Sequence, residues 1–554
     1  MTTYISAEYL RPHLRPLSFY LVNSMKKNFY FCLILLISEF FLIVSSQAVV
    51  ISPLNLTSSP NNISIKADLE WAKLIPGYIA ITKKDKLFYL LARSKIENAP
   101  LVIFLNGGPG ASSLIGAFVE NGPLNLAKPF DDDRNFQLTK NKWSWNNLAN
   151  VVYLDQPRYT GYSYGNGSYI TSAQDAGKDF LTWLQHFYQK YPEFKQRPLY
   201  LTGESFARVY IGEYTHQILQ YNKQNIKNPI HLSGLFIQSG TIGDDQRFGS
   251  FDVSPLYQLH YLCTQNMLEK KECQSNHKNS LKNTLDQCVN TIAQHKNINP
   301  QEVKISDMRI SGQSITICES YLNQVNQTPK FKLHQIPNSL VFPKQIRGKT
   351  LHEPVDTLEF SQDSKIRHFL GYSPNPYNIK LICMPSGGYP PWCYNDHKII
   401  QFFNNPEIKL WLGKGEIPEQ VKWEYANFVV ANSFTAVNPL VLPLETYYAE
   451  ALDNDIKIIL AYGKNDWMNY FATQVIADKI VKRAYGRSLF RQLPAAISDL
   501  QKITIGTADK PRYAGEYLTL KNFTFAQLDN AGHMIGMDEP ESIYQLYILL
   551  LRDE

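Results

Sequence analysis

Apolar residues along this chain gather in short, uninterrupted runs at two separated places. PLVIFLN (100–106), NVVYLDQP (150–157), PLYLTGES (198–205) and LSGLFIQSG (232–240) form the first group, and IKIILAYG (456–463) and FTFAQLDNAGH (523–533) form the second. Runs this short, without polar alternation and closed by Gly, Asn or Asp, predict strands buried on both faces, as in a parallel sheet. Between them the spacing changes. In AGKDFLTWLQHFYQKY (176–191), Phe180, Leu184, Phe187 and Tyr188 share one helical face. ARVYIGEYTHQILQYN (207–222) continues directly from the third run and also reads as a helix. Strands alternating with helices predict an open α/β sheet. Residues 244–435 lack that rhythm and read as an insertion. The expected organisation is a core in two parts, 49–243 and 436–554, around an inserted, mainly helical cap at 244–435.

Composition narrows the picture. With 44% hydrophobic and 13% aromatic residues over 554 positions, the chain has material for a large core. The net charge of +6 is spread out, with no dense Lys/Arg cluster, which argues against a nucleic-acid partner. From Met25 the chain reads MKKNFYFCLILLISEFFLIVSSQA, a secretory signal: two lysines, an apolar run and small residues at a cleavage site. Residues 1–48 are therefore expected to be N-terminal extension and signal, the signal beginning at Met25. The run from Phe29 to Val44 falls short of the ~20 residues a span needs and contains Glu39, so no stable membrane span is expected in the mature chain.

Cysteine usage agrees with that address. Beyond Cys32 in the signal, Cys263, Cys273, Cys288, Cys318, Cys383 and Cys393 all lie between 263 and 393. An even number in one stretch predicts three disulfides stapling the insertion. N-x-S/T sequons at Asn55, Asn62, Asn166, Asn326 and Asn522 are candidate glycan sites in such a compartment. A secreted protein or one of an acidic, lysosome- or vacuole-like organelle is expected.

Candidate chemistry starts at Gly203-Glu204-Ser205-Phe206-Ala207, which fits a G-x-S-x-[GA] elbow between a strand and a helix. Small residues at 203 and 207 suit a tight turn that lifts the serine hydroxyl above the sheet edge, where the first helical N–H groups face a developing oxyanion. A serine nucleophile needs a base and a group to orient that base. In α/β-hydrolases the order is Ser, acid, His. Asp466 and His533 follow in that order, each just beyond a predicted strand. The loop LNGGPGASS (105–113), also after a strand, is the natural second half of an oxyanion hole. No CxxC pairing or His cluster suggests zinc, and neither metal nor cofactor is implied.

At these residues the chain resembles the serine carboxypeptidases. The matching blocks are GYIAI…KLFYLLARS…PLVIFLNGGPGASSLIGAFVENGP (77–123), WSWNNLANVVYLDQPRYTGYSY (143–164), GESFARVYIGEY (203–214), and YGKND with AGHMIGMD (462–466, 531–538). The resemblance implies an α/β-hydrolase fold and hydrolysis of C-terminal peptide bonds, best at acidic pH, on peptide or protein C-termini. It implies Ser205 as nucleophile, His533 as base, Asp466 as its orienter, and an oxyanion hole from the N–H groups of Gly108 and Phe206. Asn106, Glu120 and Glu204 would recognise the substrate's terminal carboxylate. Two carboxyls beside a carboxylate cannot all ionise cheaply, so one should hold a proton and donate it. Trp145 and Asn146 would be structural.

The resemblance also marks departures. Arg208 stands where the family has glycine, and is expected to point to solvent or pair with an acid. Tyr159 and Gly536 replace a glycine and a proline, and Gln238-Ser239 a Gly-Asn pair. Lys464 replaces an acid and is expected to lower the pKa of Asp466. Ala111 and Ala426 take the places of a disulfide pair in the family. Cys383 is expected to pair with Cys393, and the other four cysteines leave three connectivities open. Two other functions stand beside hydrolysis: an acyltransferase on the same scaffold, and a catalytically impaired binding or protective protein. Whether the chain forms a homodimer is left open.

Overall fold

The computed structural model describes residues 72, 74–130, 136–240, 263, 270–277, 280–297, 300, 373–375, 377–383, 394, 396–413, 415–436, 443–466, 472–491, 500–507 and 509–552. The signal expected from Met25 lies outside them, as do Cys318, Cys393 and the sequons at Asn55, Asn62 and Asn326.

All six runs that predict buried strands form strands of one sheet. They are β3 (Leu101–Leu105), β6 (Asn150–Leu154), β8 (Leu199–Glu204), β9 (Leu232–Gln238), β12 (Lys457–Gly463) and β15 (Phe523–Leu528). They lie side by side and parallel in the order β6-β3-β8-β9-β12-β15. The antiparallel strands β1 (Leu74–Ala80) and β2 (Asp85–Ala92) extend one edge. On the other edge are β13 (Gln501–Thr507) and β14 (Lys510–Leu520), also antiparallel. The two-residue strand β7 (Tyr164–Gly165) adds to β2. Two hairpins stand apart: β4 (Leu124–Leu126) with β5 (Leu138–Lys140), and β10 (Ser373–Asn375) with β11 (Asn378–Cys383).

Side-chain alternation divides the core between the two sheet faces. Val102, Phe104, Val151 and Tyr153 point to one face, and Leu101, Ile103, Leu105, Val152 and Leu154 to the other. The second face is covered by α1 (Ala173–Lys190) and α2 (Ala207–Gln224). Helix α1 starts at Ser172, whose hydroxyl accepts from the Asp175 N–H, and it buries the predicted Phe180, Leu184, Phe187 and Tyr188. Further along the chain come α3 (Leu281–Lys296), α4 (His397–Asn404), α5 (Pro406–Gly413), α6 (Phe428–Ala436) and α7 (Leu444–Asp453). Ile399, Phe402, Phe403 and Trp411 of α4 and α5 join the first core face, beside Phe118. The end of the segment read as an insertion is thus packed into the core. Cys263 is bonded to Cys273, and Cys288 is also disulfide-bonded. The expected Cys383–Cys393 pair falls outside the described side chains. Among the described residues no helix is long and apolar enough to cross a membrane.

Chain order sets where the site lies. From β3 the chain goes to β6 on one side, then returns to β8 on the other. The carboxyl ends of β3 and β8 therefore border a crevice at a topological switch point, where sheets of this type place their chemistry.

Candidate functional site

Strand β8 ends in the turn that carries Ser205. Its φ is +62°, in the left-handed region that costs a non-glycine residue about 1–2 kcal/mol. The turn is held from both sides. The Ser205 N–H donates to the Gln238 carbonyl (2.9 Å), and the Arg208 N–H donates back to the Ser205 carbonyl (3.1 Å). A methyl group on Gly203 would come within 2.4 Å of the Leu105 carbonyl oxygen and 2.6 Å of Ala207 Cβ, so both positions must be small. The loop after β3 closes against the same turn. A methyl group on Gly107 would lie 2.4 Å from the Phe206 nitrogen. Gly108 has φ +102°, and a side chain there would meet the Ala111 and Gly110 nitrogens at 2.7 and 2.8 Å. Phe206 is buried and packs edge-on to Tyr210 and Phe434. Ala111 and Ala426 face each other across an antiparallel bridge, where the resemblance had them replace a disulfide.

Asp466 and His533 leave the ends of β12 and β15. His533 Nδ1 lies 2.8 Å from Asp466 Oδ2, and both residues are buried. The His533 N–H donates to the Tyr377 carbonyl (2.6 Å), and the Tyr377 ring stands edge-on to the imidazole at 4.7 Å. Ser205 and His533 line one small cleft together with Asn106, Gly107, Gly108, Glu204 and the tyrosines 377, 394 and 425.

Glu120 and Glu204 are brought together against Asn106, whose Nδ2 is 3.5 Å from Glu204 Oε1. Asn106 is itself fixed: its Oδ1 accepts from the Gly116 N–H at 3.0 Å. Burial pushes the Glu120 carboxyl up to about 7, against the pull of Glu204 and Asn106. Burial and then the Glu120 charge push Glu204 well above the usual carboxylate range. Taken as two carboxylates, both Glu120 oxygens and Glu204 Oε2 would lack a donor. A proton shared between the two carboxyls would supply one such bond, the state their upward shifts favour in the acid range.

Two further buried carboxyls are raised, both first by burial: Asp155 to about 6, despite hydrogen bonds from Ser112, Tyr162 and Ser113, and Asp538 to about 6. A raised carboxyl binds its proton more tightly when folded, so its stabilisation is lost as pH rises from the unfolded value through the folded one. For Glu120 that window runs from 4.5 to about 7, and for Asp155 and Asp538 from 3.8 to about 6. The lowered groups Asp85 and Asp175 act only below their ordinary 3.8, and the lowered Glu450 only below its ordinary 4.5. The protein is expected to melt several degrees higher at pH 5 than at pH 7.5 by scanning calorimetry. Equal or higher stability at pH 7.5 would show that these carboxyls are not protonated in the fold.

The marked departures resolve as follows. Arg208 does not reach solvent; it is 0% exposed, with its guanidinium 5.9 Å above the Tyr448 ring. Its aliphatic stem fits because residue 240 is glycine: a methyl group there would meet Arg208 Cβ at 3.1 Å and Cδ at 3.2 Å. Lys464 pairs with Glu516 (2.9 Å) and Asp529 (2.7 Å). Tyr159, at φ +70°, donates its hydroxyl to Asp85 (2.8 Å). Gly536 sits on Glu120, where a methyl group would meet Glu120 Cβ at 2.7 Å. Trp145 is buried and stacked between Phe236 and Tyr547. Sequence reasoning missed Tyr377 and Asn378, which lie at the turn of the β10–β11 hairpin, where the sequence shows no apolar period. It also passed over Asp538, although that residue closes the AGHMIGMD block.

A strand-borne serine in a left-handed turn, a glycine loop beside it and a buried His–Asp pair at neighbouring strand ends define an α/β-hydrolase. Residues 67–552 match the family model described as serine carboxypeptidase. The chain belongs to the serine carboxypeptidase family of peptide-bond hydrolases. It is 26% identical to carboxypeptidase Y of Candida albicans, over 88% of this chain and 74% of that protein. It is also 26% identical to carboxypeptidase Y homolog A of Fusarium vanettenii, over 86% of this chain and 73% of that one. Among solved structures, Kex1(Δ)p, a prohormone-processing carboxypeptidase from Saccharomyces cerevisiae, shares the fold. Its TM-score is 0.60 at 20% identity, covering 89% of this chain and 92% of that one.

Proposed function

We propose that the chain is a secretory-pathway serine carboxypeptidase that removes C-terminal residues through an acyl-enzyme, and works best at acidic pH. Ser205 Oγ attacks the scissile carbonyl carbon while His533 Nε2 takes its proton. Asp466 accepts the hydrogen bond from Nδ1–H and stabilises the imidazolium that forms. The N–H groups of Gly108 and Phe206 receive the oxyanion. The imidazolium returns its proton to the leaving amine, the C–N bond breaks, and water then attacks the acyl-serine by the same relay. Asn106 and the protonated Glu120–Glu204 pair donate to the substrate's terminal carboxylate. Loss of that proton turns the pair from donor to repellent, so peptide binding weakens as pH rises.

The observation that carries this reading is one cleft lined by Ser205, His533 and Glu204, with Asp466 hydrogen-bonded to the histidine and Glu120 beside Glu204, both glutamates raised by burial. The test is release of the C-terminal amino acid from a blocked dipeptide at pH 5 and pH 7.5, before and after labelling with a fluorophosphonate. Expected are stronger release at pH 5, a label at Ser205 by mass spectrometry, and loss of release in step with labelling. Folded protein that neither labels nor releases would sink the proposal.

Gly536 offers a separate check on the carboxylate subsite. Gly536→Ala presses a methyl group onto Glu120. It is expected to raise KM for peptides several-fold with a smaller change in kcat, since the turn of Ser205 is untouched. An unchanged KM in steady-state assays would remove Glu120 from the subsite.

A further inference from the structure

The loop that carries His533 makes one more contact that the catalytic reading does not use. A short helical turn, Ile535–Asp538, follows the histidine. It sets Gly536 against Glu120 and turns the Asp538 carboxyl back into the fold. Asp538 Oδ2 accepts from the Gly532 N–H at 2.7 Å and from Asn378 Nδ2 at 3.0 Å. Residue 538 keeps some exposed surface, but these bonds hold its carboxyl inside. The clasp is reinforced at 532, where a methyl group would lie 2.3 Å from the Tyr377 carbonyl oxygen and 2.5 Å from Asn378 Cβ. The hairpin β10–β11 thus grips the histidine loop in two places: Tyr377 holds His533, and Asn378 holds Asp538.

We propose that Asp538 is a positioning residue, clamped by Asn378, that fixes the His533 loop and holds Gly536 against Glu120 at the carboxylate subsite. Its charged neighbourhood bears on the same subsite. From its own segment Asp538 faces Glu539, which is engaged by Arg512 at 2.9 and 2.6 Å. From β12 it faces Asp466. The Asp538 charge in turn acts on Glu120 and Glu204, and on the buried hydroxyl of Tyr394. Among the described residues no Lys or Arg pairs with Asp538, so Asn378 and the Gly532 N–H are its hydrogen-bond donors. A third negative group beside the pair disfavours full ionisation of the pair and keeps it a donor to higher pH.

This inference rests on the carboxypeptidase reading, and two variants test it against an active wild type. Asp538→Asn keeps the shape and removes the charge. The alkaline limb of kcat/KM is expected to move down by roughly half to one pH unit, because the pair loses its proton sooner. Asn378→Ala keeps the charge and removes the clamp. Its kcat is expected to fall about tenfold, with KM changing far less, because the histidine is displaced from the serine. A wild-type alkaline limb in the first variant, or a wild-type kcat in the second, overturns the proposal. If Asp538→Asn does not fold, Asn378→Ala decides alone. Should the wild type itself release nothing, the carboxypeptidase reading fails, and thermal melts without substrate still judge Asp538. Its replacement should flatten the fall in Tm between pH 3.8 and about 6, the window of its raised carboxyl.

Discussion

Ser205→Ala is expected to lower carboxypeptidase turnover by roughly 10⁴- to 10⁶-fold while leaving the fold intact. The loss is large because the substitution removes the atom that would form the acyl bond; water must then attack without an acyl-enzyme. The fold is expected to survive because the turn is held through the backbone, by the Ser205 N–H on Gln238 and by the Arg208 N–H on the Ser205 carbonyl. Alanine bears the same left-handed strain as serine at φ +62°. Asp466→Asn makes an informative companion. It keeps the shape of the His533 contact but reverses which atom is donor, and is expected to cost about 10⁴-fold in kcat. Turnover of the alanine variant within a hundredfold of wild type, at equal melting temperature, would remove Ser205 from the nucleophile's role. A Ser205→Ala variant that melts far below wild type would show that the hydroxyl carries structure as well.

The sheet centre was legible because its strands are buried on both faces and so appear as unbroken apolar runs. The edge was not. Strand β13 buries only Ile503 and Ile505 of its seven residues, and its pattern is as polar as a loop's. The site divides along the same line. Ser205, Asp466 and His533 could be read from their places just beyond strands, since chain order and strand ends determine where such loops meet. Contacts between distant segments carry no such local mark. Asn378 and Asp538 are 160 residues apart, and nothing in either neighbourhood announces the other. The burial of Arg208 was hidden for a related reason. An arginine is almost always found at the surface, and what buries this one is supplied from elsewhere, by a missing Cβ at Gly240 and the ring of Tyr448. Lys464 engages Glu516, on a strand (β14) that the sequence did not reveal, and Asp529, just past β15.

Arg208→Gly, which restores the residue common in the family, is therefore expected to destabilise this protein by about 3 kcal/mol. Two costs add. Glycine in a helix costs about 1 kcal/mol relative to a good helix former. A fully buried side chain of this size also leaves a cavity, at about 24 cal/mol per Å³ not refilled. Against them stands relief of the desolvation borne by a buried guanidinium, which is 0% exposed here. Arg208→Met separates the effects, because it keeps most of the volume and drops the charge. If packing dominates, the methionine variant should unfold in urea near the wild-type midpoint and the glycine variant well below it. If relief of the buried charge dominates, neither variant should fall below the wild-type midpoint. The bond from the Tyr448 hydroxyl to the residue 208 carbonyl (2.5 Å) belongs to the backbone and survives in both. Residual activity then reports on the elbow itself. Wild-type release by Arg208→Met would make the arginine a filler beneath the nucleophile turn. A large fall in kcat at unchanged stability would mean that its charge reaches the reacting groups.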